Sequence, residues 1–195
     1  MMRLFGRRVV LRALVTNDFA AWSEVRRRNE GWLTKWEPMR LVGHPDPTVD
    51  RDAFALRCQA RERERQLGQG YGFGIFVEGR FSGEININAV HRGPFQNADV
   101  GYWIDEAMAG HGYVPEACVV VFKHAFEDLR LHRLQINIVP RNANSRRVME
   151  KLAIRDEGVS LRFLEINGVW EDHVRYAITV EEWEDRRADF AAQWL

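Results

Sequence analysis

The residues best suited to chemistry lie at 99–116, DVGYWIDEAMAGHGYVPE. Val100, Tyr102 and Ile104 alternate with Gly101, Trp103 and Asp105, the period of a strand. Gly110 and Gly112 supply a turn. Val114-Pro115-Glu116 restarts the chain as a helix, with proline and an acid in its first turn. A strand, a glycine turn and a helix N-terminus in that order bring backbone N–H groups together, and the helix dipole adds positive potential. The chemistry predicted is anion binding. Residues 142–152 offer a second helix start, where Asn142-Ala143-Asn144-Ser145 supplies a cap and places a hydroxyl at the positive end. Glu84 stands among Gly83, Ile85 and Ile87 in a strand-like run. Facing a cleft, such a carboxylate is desolvated and suited to take a proton; facing solvent, it is ordinary. Alternation leaves both readings open.

Elements must position these groups. The pattern predicts a strand at residues 8–14 and a helix over 18–29 with Phe19, Trp22 and Val25 on one face. An aromatic segment, GWLTKWEP at 31–38, is closed by proline, and a Gly/Pro loop follows at 41–47. Thr48-Val49-Asp50 opens a helix to Leu67, whose outer run Arg61-Glu62-Arg63-Glu64-Arg65 reads as a solvated face. Strands at 71–77 and 81–90 flank the turn Glu78-Gly79-Arg80, and the strand of the opening stretch comes next. The GYGFG run at 70–74 is no dinucleotide fingerprint, because a strand continues from it. A helix over 114–129 turns Cys118, Phe122, Ala125 and Leu129 inward. A strand at 134–139, the capped helix to 152, strands at 159–166 and 171–180 around Asn167-Gly168, and a terminal helix complete the chain. This is α/β material in one domain: an antiparallel meander feeding a β-α-β unit.

Composition narrows the possibilities. The 195 residues carry 28 basic and 28 acidic side chains, so no net charge draws the chain to nucleic acid or anionic lipid. No apolar run has the length of a membrane span, and the N-terminus reads as a strand rather than a secretory signal. Two cysteines and six histidines without ligand spacing predict neither a disulfide framework nor a metal site, and a cytoplasmic compartment is the default. Seven tryptophans are a heavy load, and Trp22, Trp32 and Trp36 cluster early, as packing residues or as a pocket wall.

The chain resembles the GNAT N-acetyltransferases, and more narrowly their RimJ/RimL type, which acetylates the N-termini of ribosomal proteins. The family's loop Q/R-x-x-G-x-G/A stands here as Ala107-Met108-Ala109-Gly110-His111-Gly112, followed by Tyr113 and Glu116-Ala117. The helix N-x-x-S-x-x-V-x-E-K-L stands at residues 142–152. The hairpin N-G-x-W-x-D-H matches residues 167–173, and W-L-x-x-W-E-P matches residues 32–38. Together these run from about Arg8 to Tyr176. Three departures stand out. Ala107 replaces Gln/Arg. Met149 stands where many relatives carry a tyrosine acid. Ala153-Ile154 replaces Gly-Phe, which changes packing.

The resemblance implies the GNAT fold, a mixed central sheet flanked by helices, and acetyl-CoA as co-substrate without a metal. The pyrophosphate would lie on Met108, Gly110, His111, Gly112 and Tyr113, and the pantetheine along Trp103 and Ile104 with Asn142 and Asn144. Arg147 would meet the 3′-phosphate or stand free on the surface. Direct attack of an amine on the thioester needs a base, an oxyanion donor and a group at the leaving sulfur. Ser145 is the candidate at the sulfur, with simple helix capping as the competing role. Glu84 is the first candidate base, Glu165 on the penultimate strand the second, and a water relay the third. Trp32, Trp36 and Tyr102 would line the acceptor side. The acceptor implied is a protein N-terminal α-amine. A polyamine, amino acid or aminoglycoside is the alternative, and a non-catalytic CoA-binding sensor or assembly factor the third reading. No nucleic-acid or membrane partner is expected, and the chain would be a monomer or homodimer.

Overall fold

The structure, a computed structural model, describes residues 2–40 and 43–195. The chain opens with β1 (Arg3–Phe5) and β2 (Val9–Arg12), an antiparallel hairpin where one strand was expected. Helix α1 (Phe19–Arg28) buries Trp22 and Val25 as its period predicts. The aromatic segment coils into a short helix α2 (Glu30–Leu33) and a 3₁₀ turn, Thr34–Trp36. Leu41 and Val42, at the start of the expected loop, lie outside the described residues. Helix α3 (Arg51–Gln66) begins at Asp50, whose carboxylate accepts from the N–H groups of Asp52 and Ala53. Along its outer run Arg65 pairs with Glu62, and Arg61 with Glu64.

Strands β3 (Tyr71–Val77), β4 (Arg80–His91) and β5 (Asn97–Ile104) form the expected meander. Helix α4 (Tyr113–Lys123) follows and closes in a widened turn, His124–Asp128, that completes the predicted helix. Then come β6 (Arg133–Ile138), α5 (Ala143–Lys151), β7 (Arg155–Ile166), β8 (Val169–Thr179) and α6 (Val180–Trp194). The eight strands lie in the order β1-β2-β3-β4-β5-β6-β8-β7. Among the described residues only β5 and β6 pair in parallel, joined by the α4 crossover.

Both faces are covered. Cys118 and Phe122 of α4, with Trp183, Phe190 and Trp194 of α6, pack against Val9, Ile75, Ile85 and Val100 of the sheet. On the other face Trp22, Val25 and Phe54 of α1 and α3 close over Phe76 and Phe81. Trp22 is thus a packing residue. A buried carboxylate ties the first hairpin to the second layer: Glu116 of α4 accepts from the Val9 N–H at 2.9 Å, from the Arg8 N–H, and from Arg8 Nε at 2.9 Å. Among the described residues no helix is long and apolar enough to cross a membrane.

The Ala153-Ile154 departure does more than alter packing. Ile154 is buried, in keeping with a packing role, but Ala153 ends α5 with φ of 47°, the left-handed region that glycine enters freely. A Cβ there is disfavoured by about 1–2 kcal/mol. Ala153→Gly is expected to raise stability by about 1 kcal/mol, read as an upward shift of the urea midpoint with an unchanged m-value.

Candidate active site

The site forms where two paired strands come apart. β5 pairs with β6 through Asn97, Ala98 and Asp99 opposite Arg133, Leu134 and Gln135. Beyond Asp99 the two diverge, and β5 continues to Ile104 paired with β4 alone. At the fork Asp99 Oδ1 accepts from Asn137 Nδ2 at 3.0 Å and Gln135 Nε2 at 3.5 Å, so side chains bridge where backbone pairing stops. Burial pushes the Asp99 carboxyl up. The free side of β5 past this point is a row of strand N–H and C=O groups facing an open cleft.

A second joint fixes the end of β5. Asp105 is buried and ion-paired with Arg28, and its Oδ1 accepts from Asn29 Nδ2 at 2.8 Å and the Ala107 N–H at 3.3 Å. Asn29 Oδ1 in turn accepts from the Glu106 N–H at 2.9 Å. Burial pushes Asp105 up, but the Arg28 and Asn29 hydrogen bonds outweigh it and hold its carboxyl below the usual value. The end of α1 thereby sets where the following loop begins.

That loop passes through Gly110 and Gly112, with φ of 82° and 85°, into α4. Among the described residues, the N–H groups of residues 110–114 donate to no acceptor of the chain. Cations stand close by: a Cβ on Gly112 would lie 3.3 Å from Arg8 Nη2 and 3.8 Å from Lys151 Nζ. Unsatisfied donors, a helix N-terminus and two cations make an anion site.

The cleft holds about 710 Å³. Trp103, Ile104, Met108, Gly110, Gly112 and Tyr113 line it from the β5 side, and Asn142, Asn144, Ser145 and Arg147 from α5. Trp32, Trp36 and Tyr102 close the remaining wall. Of the expected co-substrate contacts, His111 stands apart: its side chain is exposed and lies 5.9 Å from the Tyr113 ring, and its carbonyl accepts from Arg8 Nη1 at 3.0 Å.

The α5 start separates two roles that were open in the sequence. Asn142 Oδ1 caps the helix by accepting from the Ser145 N–H at 3.2 Å. The Ser145 hydroxyl is thereby free of capping and donates to Tyr102 Oη at 3.0 Å, while Tyr102 Oη donates to the Ser145 carbonyl at 3.2 Å. Burial pushes the Tyr102 phenol well above its ordinary value, so it stays protonated. Met149, in place of a tyrosine acid, is wholly buried in the core.

The two expected acids are not brought to this cleft. Glu84 is buried on the face covered by α1 and α3, where Oε1 accepts from Trp22 Nε1 at 2.6 Å and Oε2 from Arg57 at 2.5 Å. It borders a separate cavity of about 930 Å³ between α3 and the start of β3. Glu165 is exposed on the β7–β8 hairpin, opposite Trp170. The carboxylate that does line the cleft is Glu37, gripped by Arg26 through two hydrogen bonds of 2.7 Å. Its signal in the sequence was the aromatic WEP run, read for its rings rather than its acid. Tryptophan ties the same segment to the strand: Trp32 Nε1 donates to the Ile104 carbonyl at 3.2 Å.

Comparison with known proteins bears on this geometry. The profile of the acetyltransferase (GNAT) domain matches residues 8–155. The chain belongs to the GNAT acetyltransferase family. It is accordingly an acetyl-CoA-dependent N-acetyltransferase. Among solved structures it is similar to Mycobacterium smegmatis RimJ in complex with CoA-disulfide: 31% identity over 97% of this chain and 95% of that one, with a TM-score of 0.87. It is 28% identical to the [ribosomal protein uS5]-alanine N-acetyltransferase of Escherichia coli K12, over 95% of each. It is 42% identical to the probable N-acetyltransferase YjcK of Bacillus subtilis 168, a match spanning 52% of this chain and 56% of that protein.

Gly112→Ala tests the loop. An alanine there meets both the φ penalty and Arg8. The Kd for acetyl-CoA by calorimetry is expected to rise about tenfold, with the far-UV circular dichroism unchanged.

Proposed function

We propose that this GNAT enzyme acetylates the N-terminal α-amine of a protein, with a ribosomal protein as the leading acceptor. One observation carries the reading beyond the family: the charge balance of the cleft. Among the described residues Glu37 is the carboxylate in its lining, and Arg26 already matches it. Beside that matched pair stands the cation Lys35, while Arg147 and Lys151 belong to the phosphate end of the cleft. A polyamine or aminoglycoside carries several positive charges and calls for an acidic pocket. A single α-amine on an uncharged peptide backbone does not. The nearly full-length similarity to RimJ-type proteins points the same way.

Acetyl-CoA supplies the activated acetyl group. The orphan N–H groups of the loop fit its pyrophosphate, with Gly110, Gly112 and Tyr113 as the principal contacts and Met108 at the entry. Arg147 and Lys151 suit a further phosphate. The edge of β5 around Trp103 and Ile104, where Trp32 already takes the Ile104 carbonyl, fits an amide-bearing arm through its remaining free groups, with Asn142 and Asn144 across from it. Ser145 stands at the start of α5 on the cleft wall, and by rotating its hydroxyl away from Tyr102 it can donate to the departing sulfur. Trp32 and Trp36 flank the acceptor. An α-amine has an unperturbed pKa near 8, so about one molecule in ten is neutral at pH 7 and a water relay suffices as base.

The test is transfer itself. The protein, with acetyl-CoA, is offered peptides bearing free N-terminal alanine or serine, spermidine, and an aminoglycoside. CoA thiol release and one added acetyl group by mass are expected with the peptides. Transfer to spermidine or the aminoglycoside but to no peptide would overturn the proposal. Tight acetyl-CoA binding without transfer to any amine would reassign the chain as a binding protein.

A further inference from the structure

Glu37 is held more firmly than a cleft-lining side chain needs to be. Arg26 Nη1 donates to Oε1 and Nη2 to Oε2, each at 2.7 Å. The Glu37 N–H donates to the Thr34 carbonyl at 3.3 Å, and its own carbonyl accepts from the Asn167 N–H at 2.8 Å, across from the β7–β8 turn. Arg26 is largely buried, with its guanidinium carbon 5.0 Å from the centroid of the Trp103 ring. Carboxylate, guanidinium and strand β5 are thus locked together at one end of the cleft.

The Arg26 fork uses two of about four lone-pair directions of a carboxylate and leaves two. Those two can accept from an amine N–H. The charge tells a different story from the hydrogen bonds. A lone carboxylate beside an amine favours the ammonium form, which has no lone pair for attack. A carboxylate already cancelled by a guanidinium still accepts hydrogen bonds but exerts a much weaker field. Such a site suits an α-amine, near pKa 8, rather than a lysine or polyamine nitrogen, near 10.4.

We propose that Glu37 binds the acceptor's amine through its free lone pairs, and that Arg26 positions Glu37 and cancels its charge so that the amine is held without being fixed as ammonium. The assignment rests on the α-amine reading of the acceptor. Other charges around the pair are themselves matched: Glu84 by Arg57, Asp46 by Arg40, and Arg141, over the Trp36 ring, by Glu171. Lys35, over Trp32 and Trp36, adds one cation.

The experiment uses the full chain with CoA bound and two peptides that differ at one group, an N-terminal alanine and its desamino counterpart. Wild-type protein is expected to bind the amine peptide at least about tenfold tighter, and Glu37→Gln to lose that preference while the desamino peptide and acetyl-CoA bind as before. Thermal unfolding of each variant controls for folding. In Arg26→Gln the uncancelled carboxylate is expected to move the alkaline rise of kcat at saturating acceptor upward by about one pH unit. A wild type indifferent to the amine, an equal loss of both peptides in Glu37→Gln, or an unmoved pH profile in Arg26→Gln would overturn the proposal. If no peptide is a substrate, the α-amine reading fails on its own; the same variants, tested on whichever amine of the panel is acetylated, still decide the role of Glu37.

Discussion

Backbone N–H and C=O groups tolerate burial only when paired, and the half of β5 beyond Asp99 has a strand on one side alone. That fork is the constraint from which the rest of the site follows. The sheet cannot close there, because Asp99 and Asn137 fill the crotch with side-chain hydrogen bonds and β6 turns away toward β8. An edge held open inside a sheet is exposed to any extended polar chain that reaches it. The pantetheine amides of a CoA thioester are such a chain. On the proposed reading the omitted pairs of hydrogen bonds receive the co-substrate's arm, and the loop of residues 110–112 at the end of the opening receives the same molecule's phosphates.

An open fork needs its arms held from outside, and buried carboxylates do this. Asp105 fastens the tip of β5 to Arg28 and Asn29 of the α1 end. Glu116 fastens α4, which begins at the loop, to the β2 strand. Glu84 fastens the middle of β4 to Trp22 and Arg57 on the covering helices. Each joins elements far apart in sequence, and each has both carboxylate oxygens engaged. Burying such charges brings little net stability, yet removing one partner is expensive, about 3–5 kcal/mol. Their effect is to permit one arrangement of layers and to penalise others. A cleft that must hold a long flexible thioester in register benefits from that rigidity.

Much of this was legible from the chain. Alternation located β3, β4, β5 and β6, and the paired glycines of residues 110 and 112 marked the loop, because local geometry and local chemistry coincide there. The capping run at Asn142 was equally plain. The first hairpin was not, since β1 is three residues long and pairs through a turn with no strong signal. Ala153 was read for volume and proved to matter for backbone angle, which no residue-by-residue comparison of size reveals. Glu84 was a fair candidate on pattern alone. Whether a strand carboxylate faces a cleft or a helix depends on what α3 supplies across the sheet, and Arg57 is 27 residues away.

Glu37 exposes the opposite limit. Its importance lies in a partner on α1, the β5 ring that partner packs against, and a turn between β7 and β8, the last two far from it in the chain. The co-substrate half of the cleft is written in contiguous motifs because a phosphate is met by consecutive backbone amides. The acceptor half is assembled from single residues of several elements, so it leaves no motif. On the role proposed for Glu37, what distinguishes one acceptor from another there is the degree to which that carboxylate is cancelled by Arg26. Two enzymes with the same loop and the same fork can therefore differ in acceptor by the distance between one guanidinium and one carboxylate, and resemblance over the motifs alone carries less about the amine than about the thioester.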